Sequence, residues 1–224
     1  MNRVFRAILI LLLVAGSSVL VAMKMSGHKD KAVPVRDLKY HDAEIANIHK
    51  VDTAVSLLRA GYVVLRMGMG ADSRLLAQFN RKNKAYSHCG IVMIENGQPF
   101  VYHSIGGEDN PDERLRRDPA KAFFSPRHNS SLAIIKYDLD DAGIERLRSV
   151  VQHYYRQRPK FDLKFDLGTD DKLYCAEFVY KALNKATGDT TYIQPTTAAG
   201  LRFVAIDDLF VNPHAGIVWQ TAFK

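Results

Sequence analysis

The sequence is short of cysteine: Cys89 and Cys175 are the only two among 224 residues, so there is room for one disulfide at most. Even that bridge is not expected, because Cys89 lies inside an apolar strand-like run while Cys175 opens a helical one. Cysteine and histidine never fall at zinc-finger spacing, and His28, His41, His49, His128, His153 and His214 form no ligand pattern. Asp162, Asp166, Asp170 and Asp171 match no calcium loop, and the last pair suits helix capping. No metal or other cofactor is therefore expected. The Gly-Met-Gly at 68–70 lacks both the P-loop lysine and the dinucleotide spacing and reads as a turn. No Lys/Arg tract interleaves with aromatic residues, so nucleic acid is not an expected partner. Internal repeats and low-complexity tracts are absent, and no oligomeric state is implied.

Apolar side chains make up 47% of the chain, enough for one substantial core. Thirty-one Lys and Arg against 24 Asp and Glu give a net charge of +7. The scattered basic residues favour contact with anionic surfaces such as membrane or cell-wall polymer. Arg3 and Arg6 precede an apolar run from Ala7 to Met23, the pattern of a secretory n-region and h-region. Residues 1–23 are thus expected to be a signal peptide or an uncleaved membrane anchor, and the protein to be exported. Residues 24–41 are charged, contain Pro34 and lack hydrophobic periodicity, so they read as a linker to a folded domain over 42–224.

Within that domain Ile45, Ile48, Val51, Val55 and Leu58 keep a helical stripe that stops at Gly61. Residues 62–67 read as a buried strand, and Asp72 or Ser73 can cap a short helix through Asn80. The stretch YSHCGIVMIENGQPFVYHSI (86–105) carries the strongest hairpin signal, because Asn96-Gly97 suits a type I′ turn. Residues 104–131, with several Gly and Pro, form a long loop with room for a short helix. A strand at 132–137 is followed by a helix behind Asp140 and Asp141, then a polar and aromatic connection over 161–172. A second long helix starts near Cys175 and runs to a Gly188 cap, with a short helix near 206–210 and a strand at 216–220 beyond it. The class is α+β, with a small antiparallel sheet packed against the Cys175 helix.

Register arithmetic locates the chemistry. A two-residue turn at Asn96-Gly97 faces Glu95 with Gln98 and sets Gly90 opposite His103. His88 and His103 then share one face as diagonal neighbours, while Cys89 points to the other side. Cys175 falls in the first turn of its helix, where free backbone N–H groups and the dipole favour a thiolate and can stabilise an oxyanion. A base to activate the sulfur, a group to orient the base and an oxyanion donor are the minimum for acyl transfer. Each residue alone has an ordinary explanation, since Cys175, Phe178, Val179, Ala182 and Ala186 share one helical face and a strand histidine is commonly structural. Glu177 points away from the thiol and reads as a fold-supporting partner; Tyr86 reads as packing at the strand entrance, with a possible role as oxyanion donor.

The segments YSHCGIVMIENGQPFVYHSI and LYCAEFVYKAL resemble the permuted papain-like amidases, the YiiX and YebB type of the NlpC-like cysteine peptidase superfamily. More distantly they resemble lecithin:retinol acyltransferase and its phospholipid-acyltransferase relatives. In this group the histidine hairpin precedes the cysteine helix, the order found here. The resemblance implies a circularly permuted papain-like fold with Cys175 as nucleophile and His88 as general base. His103 occupies the orienting position, where YiiX-type relatives carry a carboxylate and the acyltransferase relatives a second histidine. It further implies a cysteine hydrolase, an amidase or peptidase working through a thioester, on a cell-wall peptide or lipid. The alternatives are a lipid acyltransferase of the same fold or a catalytically inactive envelope binding module. Bacterial origin, also implied, makes the expected location the inner membrane facing the periplasm, or the periplasm or exterior after signal cleavage.

Overall fold

The computed structural model describes residues 36–107, 110–198 and 200–224. The apolar run of residues 7–23 and most of the 24–41 linker lie outside them. No described helix is long and apolar enough to cross a membrane. Helix α1 (Arg36–Leu57) starts upstream of Asp42, inside the segment that lacks hydrophobic periodicity. Its apolar stripe is only half used: Val51, Ala54 and the following Leu58 are buried, whereas Ile45 and Ile48 are exposed. The helix stops short of Gly61, which takes φ +82° and turns the chain into β1 (Val63–Gly68), its N–H donating to the Val92 carbonyl at 2.9 Å.

A short helix, α2 (Ala71–Leu76), is capped by Gly70 and continues as a 3₁₀ turn over Ala77–Phe79. Strands β2 (His88–Glu95) and β3 (Gln98–His103) form the expected hairpin. Asn96 and Gly97 both adopt positive φ, 49° and 76°, which a type I′ turn requires, and Glu95 pairs with Gln98. The long loop contains a strand that sequence periodicity did not announce, β4 (Arg116–Pro119), followed by α3 (Ala120–Phe123). Strand β5 (Asn129–Tyr137) leads into α4 (Asp141–Gln157), where the Asp140 side chain accepts from the Gly143 N–H at 2.7 Å. Helix α5 (Cys175–Thr187) ends at Gly188, φ +73°. A small hairpin of β6 (Thr196–Ala198) and β7 (Leu201–Phe203), a 3₁₀ turn at Ile206–Leu209 and β8 (Ala215–Ala222) complete the chain.

The main sheet has six strands in the order β4-β3-β2-β1-β5-β8, with every neighbouring pair antiparallel. Beyond the expected strands, including the terminal one now seen as β8, the sheet gains β4 at one edge. Both faces are covered, and strand alternation sorts the side chains between them. On one face Val63, Leu65, Cys89, Ile91, Met93 and Ile135 pack with Phe178, Val179 and Ala182 of α5 and with Leu147 and Val151 of α4. On the other, Val64, Val92, Val101 and Ile134 pack with Val51 and Ala54 of α1 and with Phe123 of α3. Full burial of an aliphatic side chain contributes about 1.5–3 kcal/mol, so each layer supports the sheet independently.

Candidate active site

The two faces carry two different clusters. His88 is the first residue of β2 and His103 the last of β3, and the register brings their rings together: His88 Nε2 lies 2.9 Å from His103 Nδ1. The rings meet edge to face with centroids 5.0 Å apart, and the Phe123 ring packs against both at 5.7 and 5.1 Å. Gly90 makes this approach feasible, since a Cβ there would stand 2.5 Å from Val101 Cγ1 and 3.0 Å from His103 Cβ. The chain of contacts continues to a residue missed in the sequence, Asp118 of β4, whose Oδ2 lies 3.0 Å from His103 Nε2. Arg116 donates to the other Asp118 oxygen at 2.9 Å. Pairing of His103 with Arg116 and of Val101 with Asp118 aims the carboxylate along the histidine face.

Electrostatics give this chain a direction. Burial alone would raise the Asp118 pKa, but hydrogen bonds from His103 and Arg116 pull it down to about 2. Burial pushes His88 well below the usual imidazole range, and the nearby charges of Arg66, His103 and Arg116 push the same way. His103 is lowered by burial as well, with Asp118 opposing. At neutral pH the carboxylate is therefore ionised and both rings are neutral. A carboxylate can only accept, so His103 Nε2–H donates to Asp118, and His103 Nδ1 accepts from His88 Nε2–H. That assignment leaves His88 Nδ1 with the lone pair of a base.

The thiols occupy the opposite face. Cys175, half-buried, is the first residue of α5, and the Tyr174 N–H just before it donates to Glu177 Oε2 at 3.2 Å. The Cys175 thiol lies beside that of Cys89, and this neighbour is the largest cause of its lowered pKa. Burial opposes the shift, and backbone N–H groups, that of Ala176 first among them, reinforce it. Burial drives the Cys89 thiol upward, so Cys175 is the member of the pair that ionises first. Both cysteines carry free thiols.

The structure thus unites His88 with His103 and does not unite either with Cys175: among the described residues no hydrogen bond joins Cys175 to His88, and Cys89 holds that position. The reason is strand alternation, since His88 and Cys89 are adjacent in β2 and their side chains leave opposite faces. His88 opens the strand, so the strand end, not the middle of the sheet, separates the two clusters.

Glu177 is fully buried, and desolvation raises its pKa to about 7 against the pull of Lys181, whose Nζ lies 2.9 Å from Oε1. It braces the helix start, as its position in the sequence indicated. Tyr86 donates to Gln220 at 3.2 Å and packs edge to face on Phe210, the packing role its position in the sequence indicated. Asp162 accepts backbone N–H groups of Lys164 and Asp166, and Asp170 pairs with Lys181 and Lys185. Among the described residues no three His, Cys, Asp or Glu side chains converge as a metal site.

No family model matches the sequence. The chain is 21% identical over 131 residues to the uncharacterized protein YiiX of Escherichia coli, a match covering 58% of this chain and 59% of YiiX. It also superposes on a crystal structure described as metalloprotein yiiX from Escherichia coli, with a TM-score of 0.60 and 17% identity over 73% of this chain and 98% of that one. At that identity the likeness establishes the fold: an α+β architecture on an antiparallel sheet, shared with YiiX.

Proposed function

We propose that this chain is a cysteine hydrolase of circularly permuted papain-like fold, an amidase or peptidase with Cys175 as nucleophile. The observation that carries the reading is the environment of Cys175, a thiol at a helix N-terminus whose ionisation is favoured by a neighbouring S–H donor and by backbone N–H groups. In this mechanism the thiolate attacks an amide or ester carbonyl, and the N–H groups of the first turn of α5 stabilise the oxyanion. The leaving amine or alcohol takes a proton, and water or an acceptor resolves the thioester. His88 is suited to the base and acid steps because the chain to His103 and Asp118 fixes its tautomer with Nδ1 open. Productive catalysis then requires the start of α5 to trade Cys89 for His88 around the end of β2, a local shift that substrate binding can drive. An exported protein of this charge fits a cell-wall peptide or lipid substrate, with lipid acyl transfer as the neighbouring chemistry.

The separation of Cys175 from His88 favours a second reading, a catalytically silent module that keeps the fold as a binding scaffold. Labelling with a thiol-directed acyl probe separates the two. Under the hydrolase reading wild type labels, Cys175→Ala does not, and His88→Ala labels slowly. Equal labelling of all three chains would refute the site, and loss in Cys175→Ala alone would leave the histidines structural.

A further inference from the structure

One group of exposed apolar side chains belongs to segments whose aromatic contacts lead to the α5 N-terminus. Leu75, Phe79, Leu163 and Leu201 are 49%, 48%, 65% and 50% exposed, far more than a chain with an ample core needs to leave in water. They come from three separate segments: α2 with its 3₁₀ extension, the 161–168 connection and the β6–β7 hairpin. Aromatic contacts knit those segments together, since the Phe79 ring stacks on Phe165 at 5.9 Å and meets Phe203 edge to face at 6.2 Å. Phe165 in turn lies 4.8 Å from the ring of Tyr174, the residue before Cys175. A shallow cavity of about 450 Å³ opens between Phe165 and Leu201, with Lys164 and Arg202 on its wall.

The surrounding charge has one dominant sign. Arg74, Arg81, Lys82, Lys84, Lys164 and Arg202 are exposed on these segments, against exposed Asp72 and Asp166. Asp207 is buried beneath this loop, and its Oδ2 accepts the backbone N–H groups of Arg81, Lys82 and Asn83 at 2.8, 2.5 and 3.1 Å. Those three bonds hold the basic loop beside the aromatic cluster.

We propose that this face docks on the surface of an anionic lipid bilayer, the aromatic and leucine side chains entering the headgroup boundary and the basic rim meeting lipid phosphates. Aromatic and leucine tips flanked by Lys and Arg are the combination that partitions into such an interface. A second copy of the chain is disfavoured as occupant, because pairing through this face would set two basic rims against each other. The inference does not depend on the chemistry of Cys175.

The test places a reporter on the face of the full chain: Leu201→Trp in a Trp219→Phe background, with Ile217→Trp on the edge strand β8 as the control position. Equimolar phosphatidylcholine and phosphatidylglycerol vesicles with brominated acyl chains should shift the first reporter to the blue and remove most of its emission, leaving the control near its value in buffer. Lys164→Glu with Arg202→Glu should restore most of the lost emission. Equal quenching at both positions, or at neither, would overturn the proposal. A blue shift without lipid that grows with protein concentration would assign the face to a second copy and overturn it too.

Discussion

The two faces of the central sheet solve different electrostatic problems with adjacent residues of one strand. On the α1 side His88, His103 and Asp118 form a closed line of hydrogen bonds that ends on a carboxylate held at about 2 by His103 and Arg116. On the α5 side Cys175 and Cys89 form a pair in which one thiol is eased toward ionisation and the other is held neutral by burial. The first cluster fixes a tautomer and the second prepares a nucleophile. Enzymes of the proposed class need both, and here the end of a single strand stands between them.

The largest expected effect closes the thiol side alone. A mild alkyl hydroperoxide should take two electrons and two protons from Cys89 and Cys175, its O–O bond breaking to give the alcohol and water as one disulfide forms, and this should abolish probe labelling. Peptide mapping under non-reducing conditions should find the linked peptides, and Cys89→Ala should prevent the link. Recovery of two alkylated cysteines after oxidation would show that the sulfurs do not meet in solution. Next, His88→Ala should slow turnover of an activated ester by about 100-fold or more, the span of general acid–base catalysis, while the midpoint of Cys175 alkylation with pH stays low. A fall in rate matched by a rise in that midpoint would mean that the two faces are coupled before substrate arrives.

How far the sequence reaches is clearest in β2. Asn96-Gly97 set the hairpin register, and a period of two then put His88 and His103 on one face with Cys89 on the other; the rings are where that arithmetic placed them. Helix α5 begins at Cys175 and stops at Gly188 because a polar connection, an apolar stripe and a left-handed glycine mark both ends locally. What the pattern could not decide is which face of β2 receives α5. Cys89, Ile91 and Met93 are apolar on one side, Val92 is apolar on the other, and a strand buried on both faces has no periodic signal to choose between them. The contact of Cys175 with Cys89 therefore appears only in three dimensions. Asp118 was hidden for another reason: β4 is four residues, RRDP, without apolar alternation, and only pairing with β3 makes it a strand. The early start of α1 is likewise unmarked in a segment that has no hydrophobic period.

Smaller effects refine the histidine side. Asp118→Asn removes the charge that holds His103 Nε2–H, and should cost about 1–3 kcal/mol of stability as a buried partner loses its match. Chemical denaturation measures the cost, and a slower activated-ester reaction would show that the relay acts beyond stability. The gentlest probe is pH. His88 and His103 have folded pKa values below their unfolded value of about 6.5, so the unfolded chain binds more protons as pH falls through that value. Their contribution to stability is present above about 6.5 and declines below it, continuing until the folded pKa values are passed. Replacing both histidines should flatten the dependence in that window, and an unchanged slope would show that the rings are not buried neutral.

The central claim is that Cys175 is the prepared nucleophile. Its most direct test is the alkylation rate of each cysteine by iodoacetamide across pH, read peptide by peptide by mass spectrometry. Cys175 should react with a midpoint below the ordinary thiol value of about 8.5 while Cys89 stays unmodified in the folded protein. An ordinary midpoint at Cys175, or faster reaction at Cys89, would contradict the account.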